Sequence, residues 1–282
     1  MIEADNPAQS PDWIRYRATP LAGVTLMHAH FTDHAFERHS HAEYGICLTY
    51  SGVQTFHCGG TVQTSTAGNV IFLNPDQAHD GLPGEKNGYR YSMLYVDTDV
   101  MAALGERAAG TLHAHYFRDA VVHAPESAAL LHQAIAAAGQ VAETLRGETL
   151  LLQTSIQLLL RYGDMPKVAQ TPVGAGLTRL TRVRDYIDSH AHQDITIGEL
   201  AREAGVSRVY LSRAFTHHFG VPPHVYLNAV RLAHARRLLM RGMPLASVAA
   251  TAGFADQSHF SRRFKGAVGL APSVWLAQMQ VR

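Results

Sequence analysis

Only two cysteines, Cys47 and Cys58, occur in 282 residues, so disulfides are not expected to hold this fold together and a reducing cytoplasm is the expected compartment. No apolar run reaches the roughly 18 residues of a membrane span, and the polar stretch Met1 to Pro11 does not read as a signal peptide. A glycine-rich phosphate loop, a Gly-x-Ser-x-Gly elbow and a Cys-x-x-Cys pair are all missing, which removes the usual sequence grounds for an enzyme. Charged residues make up only 17% against 46% apolar, a balance that fits a globular, soluble chain and excludes a disordered one.

What is present is divided unevenly. The length is too great for one core of the usual size and fits two domains. The overall charge of +1 hides a split near Gly174. Residues 1–175 carry 10 Lys/Arg and 17 Asp/Glu, a net of −7, whereas residues 176–282 carry 14 and 6, a net of +8. A basic C-terminal part points to nucleic acid or another anionic surface. Nearly all of that charge is arginine, which favours bidentate recognition of phosphate or guanine; an incidentally basic helical domain is the plainer alternative.

Along the chain, residues 20–100 read as short strands between Gly, Pro, Asn and Asp clusters, which suggests an antiparallel barrel or sandwich. Near Pro125 the texture turns helical. Glu126 to Leu145 and Glu148 to Tyr162 read as two helices broken at Gly147, with Leu152, Ile156, Leu159 and Leu160 on one stripe. That stripe either caps the barrel or contacts a second subunit. A Pro- and Gly-bearing stretch then reads as a linker. The expected division is residues 1–165 for an effector-binding and dimerisation domain, 166–176 for the linker, and 177–282 for an all-helical domain.

The helical domain repeats itself. Leu200-Ala201 through Gly205-Val206 matches Val248-Ala249 through Gly253-Phe254 at an offset of 48, and Leu211, Arg213 and Phe215 match Phe260, Arg262 and Phe264 at 49. Each copy has helix-turn-helix spacing. A small residue (Ala201, Ala249) allows close helix approach, Gly205 or Gly253 supplies a turn with positive φ, and Ser207 or Asp256 caps the next helix. The extra residue of copy two falls in that turn. On a helical wheel Leu211, Ala214 and Phe215 face inward, while Val209, Arg213 and Thr216 lie opposite, flanked by Ser212 and His217. In copy two Phe260 and Phe264 face inward, and Ser258, Arg262 and Lys265 lie opposite, with Gln257 at the start of the helix. Such a face fits the major groove, where arginine pairs with guanine O6 and N7. A joining helix, about His224 to Met240, would set the two readers in successive grooves. Arg231, Arg236, Arg237 and Arg241 on or beside it read as phosphate contacts or exposed charges.

These residues resemble the AraC/XylS family of bacterial transcription regulators, most clearly through Ala249, Gly253 to Lys265 and Gly269 to Pro272. The resemblance covers residues 177–282 and implies two helix-turn-helix subdomains bridged by a long helix. Carried over by position, it implies Val209, Ser212 and Arg213 as base readers in the first copy and Ser258 and Arg262 in the second. At Val209, methyl contact with thymine is the only readout on offer. The N-terminal half is similar to the cupin-like sensor domain many members carry, through His39 to Tyr44, Gly52 and Gly68 to His79. The implied function is a DNA-binding regulator, expected to be an activator and a homodimer that responds to a small-molecule effector. By family analogy, Met1 to Pro20 is the candidate moving element.

His39, His41 and Glu43 alternate, so on a strand they would share one face, with His79 arriving from a later strand. Three readings stay open: hydrogen bonding to an effector, a transition-metal site in a cupin-type metalloenzyme with an accessory helical domain, or purely structural histidines. Glu43 follows His41 by only two residues, closer than the metal-binding cupin motif places its glutamate, and neither metal nor cofactor is expected. Cys47 and Cys58 read as buried thiols. A nonspecific nucleoid-type binder is the remaining rival.

Overall fold

A computed structural model of the chain describes residues 12–109, 116–139, 144–164 and 175–280. The first part of the expected moving arm and nearly all of the expected linker lie outside these residues. The N-terminal half begins with strands β1 (Trp13–Ala18), β2 (Val24–Phe31), β3 (Phe36–His39), β4 (Tyr44–Cys58), β5 (Thr61–Thr66), β6 (Asn69–Leu73), β7 (His79–Pro83) and β8 (Tyr89–Val96). It continues with α1 (Thr98–Ala109), β9 (Tyr116–Phe117), β10 (Val121–His123), α2 (Pro125–Ala138), α3 (Thr144–Tyr162) and β11 (Gly163–Asp164). The C-terminal half holds α4 (Ala175–His190), α5 (Ile197–Ala204), α6 (Arg208–Phe219), α7 (Pro223–Met240), α8 (Leu245–Thr251), α9 (Gln257–Val268) and α10 (Pro272–Gln280).

The main sheet runs β1-β2-β8-β4-β6-β10, while β3, β5 and β7 attach through the far half of β4. Its pairing does not close into a ring among the described residues, so the cupin-like unit is a curled open sheet rather than the expected barrel. The curl comes from β4. Its first half pairs with β6 and β8, its second half with β5 and β7, and the register shifts between Thr49 and Ser51. Gly52 sits at this bend with φ 74°, where a Cβ would stand 1.9 Å from the Gly88 carbonyl; only glycine fits. The expected moving arm is partly β1, paired with β2 along its length.

The helical break also differs from expectation. It falls between α2 and α3, and Gly147 lies inside α3, where a Cβ would come within 3.2 Å of the Ala137 carbonyl and the Ala138 Cα. Glycine here serves close packing of the two helices. The anticipated stripe divides as well: Leu151, Leu158 and Leu159 bury against the sheet with Leu26, Ile46 and Phe72, whereas Leu145 and Leu160 remain 76% and 59% exposed.

The C-terminal half contains both anticipated helix-turn-helix units, α5–α6 and α8–α9, with α7 between them. Gly205 (φ 64°) and Gly253 (φ 86°) make the turns. The Ser207 hydroxyl accepts from the Tyr210 amide, and the Asp256 carboxylate accepts from the His259 amide. The two units meet at one junction. A Cβ on Gly253 would stand 2.7 Å from the Ala191 carbonyl, so the second turn presses on the loop after α4. Arg231 holds the same loop. It is buried, not solvent-facing as expected, and donates from Nε to the Ala191 carbonyl (2.7 Å) and from Nη2 to the Gln193 carbonyl (2.8 Å). Its guanidinium also covers the Phe254 ring.

Removing Arg231 leaves a buried carbonyl without its donor. Arg231→Ala is expected to destabilise the protein by roughly 2–4 kcal/mol, whereas exposed Arg237→Ala changes stability by less than about 0.5 kcal/mol. Urea unfolding followed by circular dichroism separates the two, and equal effects would contradict the pinning role.

Candidate functional site

The face expected to meet DNA follows in each unit from its inward residues. Leu211 and Phe215 bury fully on α6, as do Phe260 and Phe264 on α9, and this fixes the rotation of both helices. Arg213, His217 and Val209 are consequently exposed, with Ser212 and Thr216 half-buried; on α9, Gln257, Ser258, Arg262 and Lys265 are all exposed. The Thr216 hydroxyl donates back to the Ser212 carbonyl at 2.7 Å. Tyr210, which the sequence pattern did not single out, stands exposed beside Val209.

The histidines meet by a different route from the one expected. His39 ends β3 and pairs in register with His79 of β7, but His41 and Glu43 lie in the turn before β4, not on a strand. The rings still converge: His39–His79 centroids are 4.5 Å apart, His41–His79 5.0 Å and His39–His41 6.4 Å. Each Nδ1 meets a backbone carbonyl, of Glu37, Glu43 and Gln77 respectively, at 2.7–2.8 Å. A carbonyl only accepts, so Nδ1 carries the proton and each neutral Nε2 offers a lone pair. Burial holds all three rings in that neutral form. It pushes His39 from an ordinary value near 6.5 down to about 4, lowers His41 against the pull of Glu43, and with His39 and His41 takes His79 well below its usual range. Among the described residues no group of three or more His, Cys, Asp or Glu side chains stands as a metal site.

Glu43 turns away from the cavity to Arg236 of α7, 3.1 Å away, with both side chains only 18% exposed. Burial opposes its charge, yet Arg236 and His41 keep its carboxyl below the usual range. Arg236 is thus an inter-domain partner and not the expected phosphate contact or exposed charge. Phe36, His39, Gln54, Phe56, His79, Tyr91 and Tyr95 line a cavity of about 30 Å³ inside the sheet. Among the described residues the buried Gln54 Oε1 and Tyr89 hydroxyl have no hydrogen-bond partner. The tyrosines and Met93 follow a period of two along β8, a signal available in the sequence; Arg236 gives none, because its partner is 193 residues away.

The sensor half also grips both readers at their C-terminal ends, where helix carbonyls lack intrahelical partners. Arg38 of β3 donates to the Gly220 carbonyl that closes α6 (3.0 Å), and the Tyr16 hydroxyl donates to the Val268 carbonyl at the end of α9 (3.0 Å). A Cβ on Gly269 would meet Ile14 and Phe36, and one on Gly266 would meet Glu37. Four consecutive residues, Phe36 to His39, therefore border the second unit, the first unit and the histidine cluster together.

Paired reading helices fastened to a curled sensor sheet define a one-chain regulator. Residues 21–160 match the AraC-like ligand binding domain family and residues 200–278 a helix-turn-helix domain family; the chain belongs to the AraC family of HTH-type transcriptional regulators. It is 26% identical to the uncharacterized HTH-type regulator YbfI of Bacillus subtilis over 79% of this chain and 81% of that protein. It is 38% identical to the transcriptional activator NphR of a Rhodococcus species over 34% of this chain and 29% of that protein. ToxT of Vibrio cholerae shares the fold. An apo lysine-to-alanine variant aligns with a TM-score of 0.60 at 14% identity over 93% of this chain and 100% of its own. Wild-type ToxT with a bound unsaturated fatty acid gives 0.57 at 16% identity, over 95% and 94%.

The neutral histidines set a pH dependence. The unfolded chain takes up a proton near pH 6.5 and folded His39 only near 4, so stability falls as pH drops through that window. Asp76 acts the other way: burial and Asp188 raise it to about 6, so its contribution is lost as pH rises through 6. Urea unfolding between pH 4 and 6.5 is expected to show a shallower slope for His39→Gln and a steeper one for Asp76→Asn; unchanged slopes would contradict the assignment.

Proposed function

We propose that this regulator reads a specific promoter site through Val209, Ser212, Arg213, Thr216 and His217 of the first unit and Gln257, Ser258, Arg262 and Lys265 of the second. Residues 1–165 serve as the sensor, 166–176 as the linker and 177–282 as the DNA-binding part. A small-molecule effector enters between His39, His41 and His79, with Glu43 relaying through Arg236. The observation that carries this reading is the grip of β1 and β3 on the closing carbonyls of both reading helices.

The size of the cavity gives the coupling. Small-molecule pockets run to roughly 300–1,000 Å³, and the cavity here is about 30 Å³. An effector of ordinary size must part the walls, and those walls include Phe36 and His39. Displacing β3 disturbs Arg38 and Phe36, which hold the two units, so bound and free states differ in the contacts the effector itself changes. A fatty acid lodges in the related ToxT, a precedent for effectors of that size.

Activation is the sense we propose, in keeping with NphR's name, and a reporter falling rather than rising behind the selected site would reverse it. The cytoplasm, where a DNA partner would be met, is the location we propose, and fractionation of cells that recovers the protein with the membrane would contradict this. The exposed Leu145 and Leu160 of α3 support a homodimer, with half-buried Leu152 and Ile156 between them. Sedimentation of the full chain is expected to give a dimer for wild type and a monomer for Leu160→Glu; a wild-type monomer would end that part of the proposal.

The deciding experiment selects bound genomic fragments with the full chain and then titrates the preferred site. Arg213→Ala or Arg262→Ala is expected to cost about 1–3 kcal/mol there and to relax preference at one position. Log affinity should fall with log salt by about 0.9 per phosphate neutralised. Arg38→Ala with Tyr16→Phe should shift affinity more than twofold, since both contacts bear on reader spacing. A uniform loss on all DNA would favour a nonspecific binder, and a flat salt response would remove DNA as the partner.

A further inference from the structure

Residues at equal distance from the caps Ser207 and Asp256 pair off along the two reading helices, which makes a position-by-position comparison possible. Arg213 stands against Arg262, and Leu211 and Phe215 against Phe260 and Phe264, so core and charge are matched. The first turn is not. There α9 presents Ser258 to solvent, and His259 is half-buried with its ring edge-on to Phe254 at 5.6 Å. At the same two places α6 presents Val209 and Tyr210, exposed by 63% and 56%. Among the described residues these are the only large apolar side chains exposed to that degree on either reading helix.

Among the described residues neither side chain of this pair makes a hydrogen bond or a ring contact, although the Tyr210 amide donates to the Ser207 hydroxyl at the cap. The helix is held by Leu211 and Phe215 on its other side, and its cap is made by the Ser207 side chain. The neighbouring Arg208 does not cover the patch, because its guanidinium lies over Gly198 of α5, 3.1 Å from where a Cβ would project. The pair lies one turn before Arg213, in a segment with a net charge of +8, so the surface around it attracts a polyanion. Helices of this type meet base edges with their N-terminal residues. In the major groove the one apolar group on a base edge is the C5 methyl of thymine. Valine has no donor or acceptor with which to read anything else.

We propose that the first unit reads thymine methyl groups through Val209 and Tyr210, whereas the second reads base hydrogen bonds, so the two halves of the site differ in chemistry. This rests on the promoter-reading function above. Tyr210 is thereby a further specificity-determining residue, its ring flanking the methyl that Val209 covers.

The test uses the full chain and its selected site, with each thymine replaced singly by deoxyuridine, which removes the methyl and leaves all base pairing intact. For wild type, one or two positions under α6 should lose roughly fourfold in affinity, the value of one buried methyl group, and none under α9. In Val209→Ala and in Tyr210→Ser the same replacements should lose less than about half of that factor. Circular dichroism and undiminished dependence on Arg262 confirm that these variants remain folded and bound. A uridine penalty that persists in both variants, or one found only under α9, overturns the proposal while leaving the regulator reading standing. Failure to select any preferred site overturns the regulator reading first, and this inference with it.

Discussion

The structure depends on a buried arginine at the centre of its helical half. Arg231 reaches out of α7 to two carbonyls in the loop that leads from α4 into the first helix-turn-helix unit, and the Gly253 turn of the second unit bears on that same loop. A guanidinium that makes two bonds from a buried position is rigid in a way a surface lysine is not. Two small units that share one joining helix would otherwise pivot about it. Pinned at the loop, they present Arg213 and Arg262 at a set separation, which is the property a two-groove reader requires.

The sensor half adds a second constraint, applied from the opposite end. Its contacts with the helical half include helix-end carbonyls, which need donors, the Gln278 amide bonded to the β1 backbone at Ile14 and Tyr16, a shared apolar core, and the buried Glu43–Arg236 pair. Buried ion pairs contribute little net stability, because desolvation consumes most of the attraction, but losing one member leaves an uncompensated charge. Such a pair therefore specifies one docked arrangement more strongly than it stabilises it. The histidine cluster stands beside that pair through His41, so the cavity and the inter-domain contact occupy one electrostatic neighbourhood.

Much of the helical half was legible in the sequence because its signals are local. Caps, turn glycines and inward apolar residues lie within four positions of one another, and Ser207, Asp256, Gly205 and Gly253 all do what their chemistry suggests. The histidine positions converged as anticipated although the strand argument for them failed; the turn at Ser40 to Glu43 brings His41 in, not alternation. Three features were not readable. Arg231 and Arg236 read as phosphate contacts or exposed charges because the repeat gives no hint of distant carbonyls or of Glu43. Gly147 reads as a break because a glycine needed for helix contact and one that ends a helix look alike without the partner helix. The open edge of the sheet depends on which halves of β4 pair with which strands, and strand pairing of that range leaves no local trace.

The four residues of β3 carry a consequence for how such a protein diversifies. Phe36 and His39 face the cavity, Glu37 and Phe36 the second unit, and Arg38 the first. Under the proposed function, adjacent codons thus answer to different selective demands, ligand choice and operator geometry, within one short strand whose register against β7 already shifts between Phe36 and His39. Under that proposal, descendants that acquire a new effector by altering this strand inherit altered spacing of their DNA contacts in the same step. Those that keep their operators must vary the cavity from its other walls, along β4 and β8.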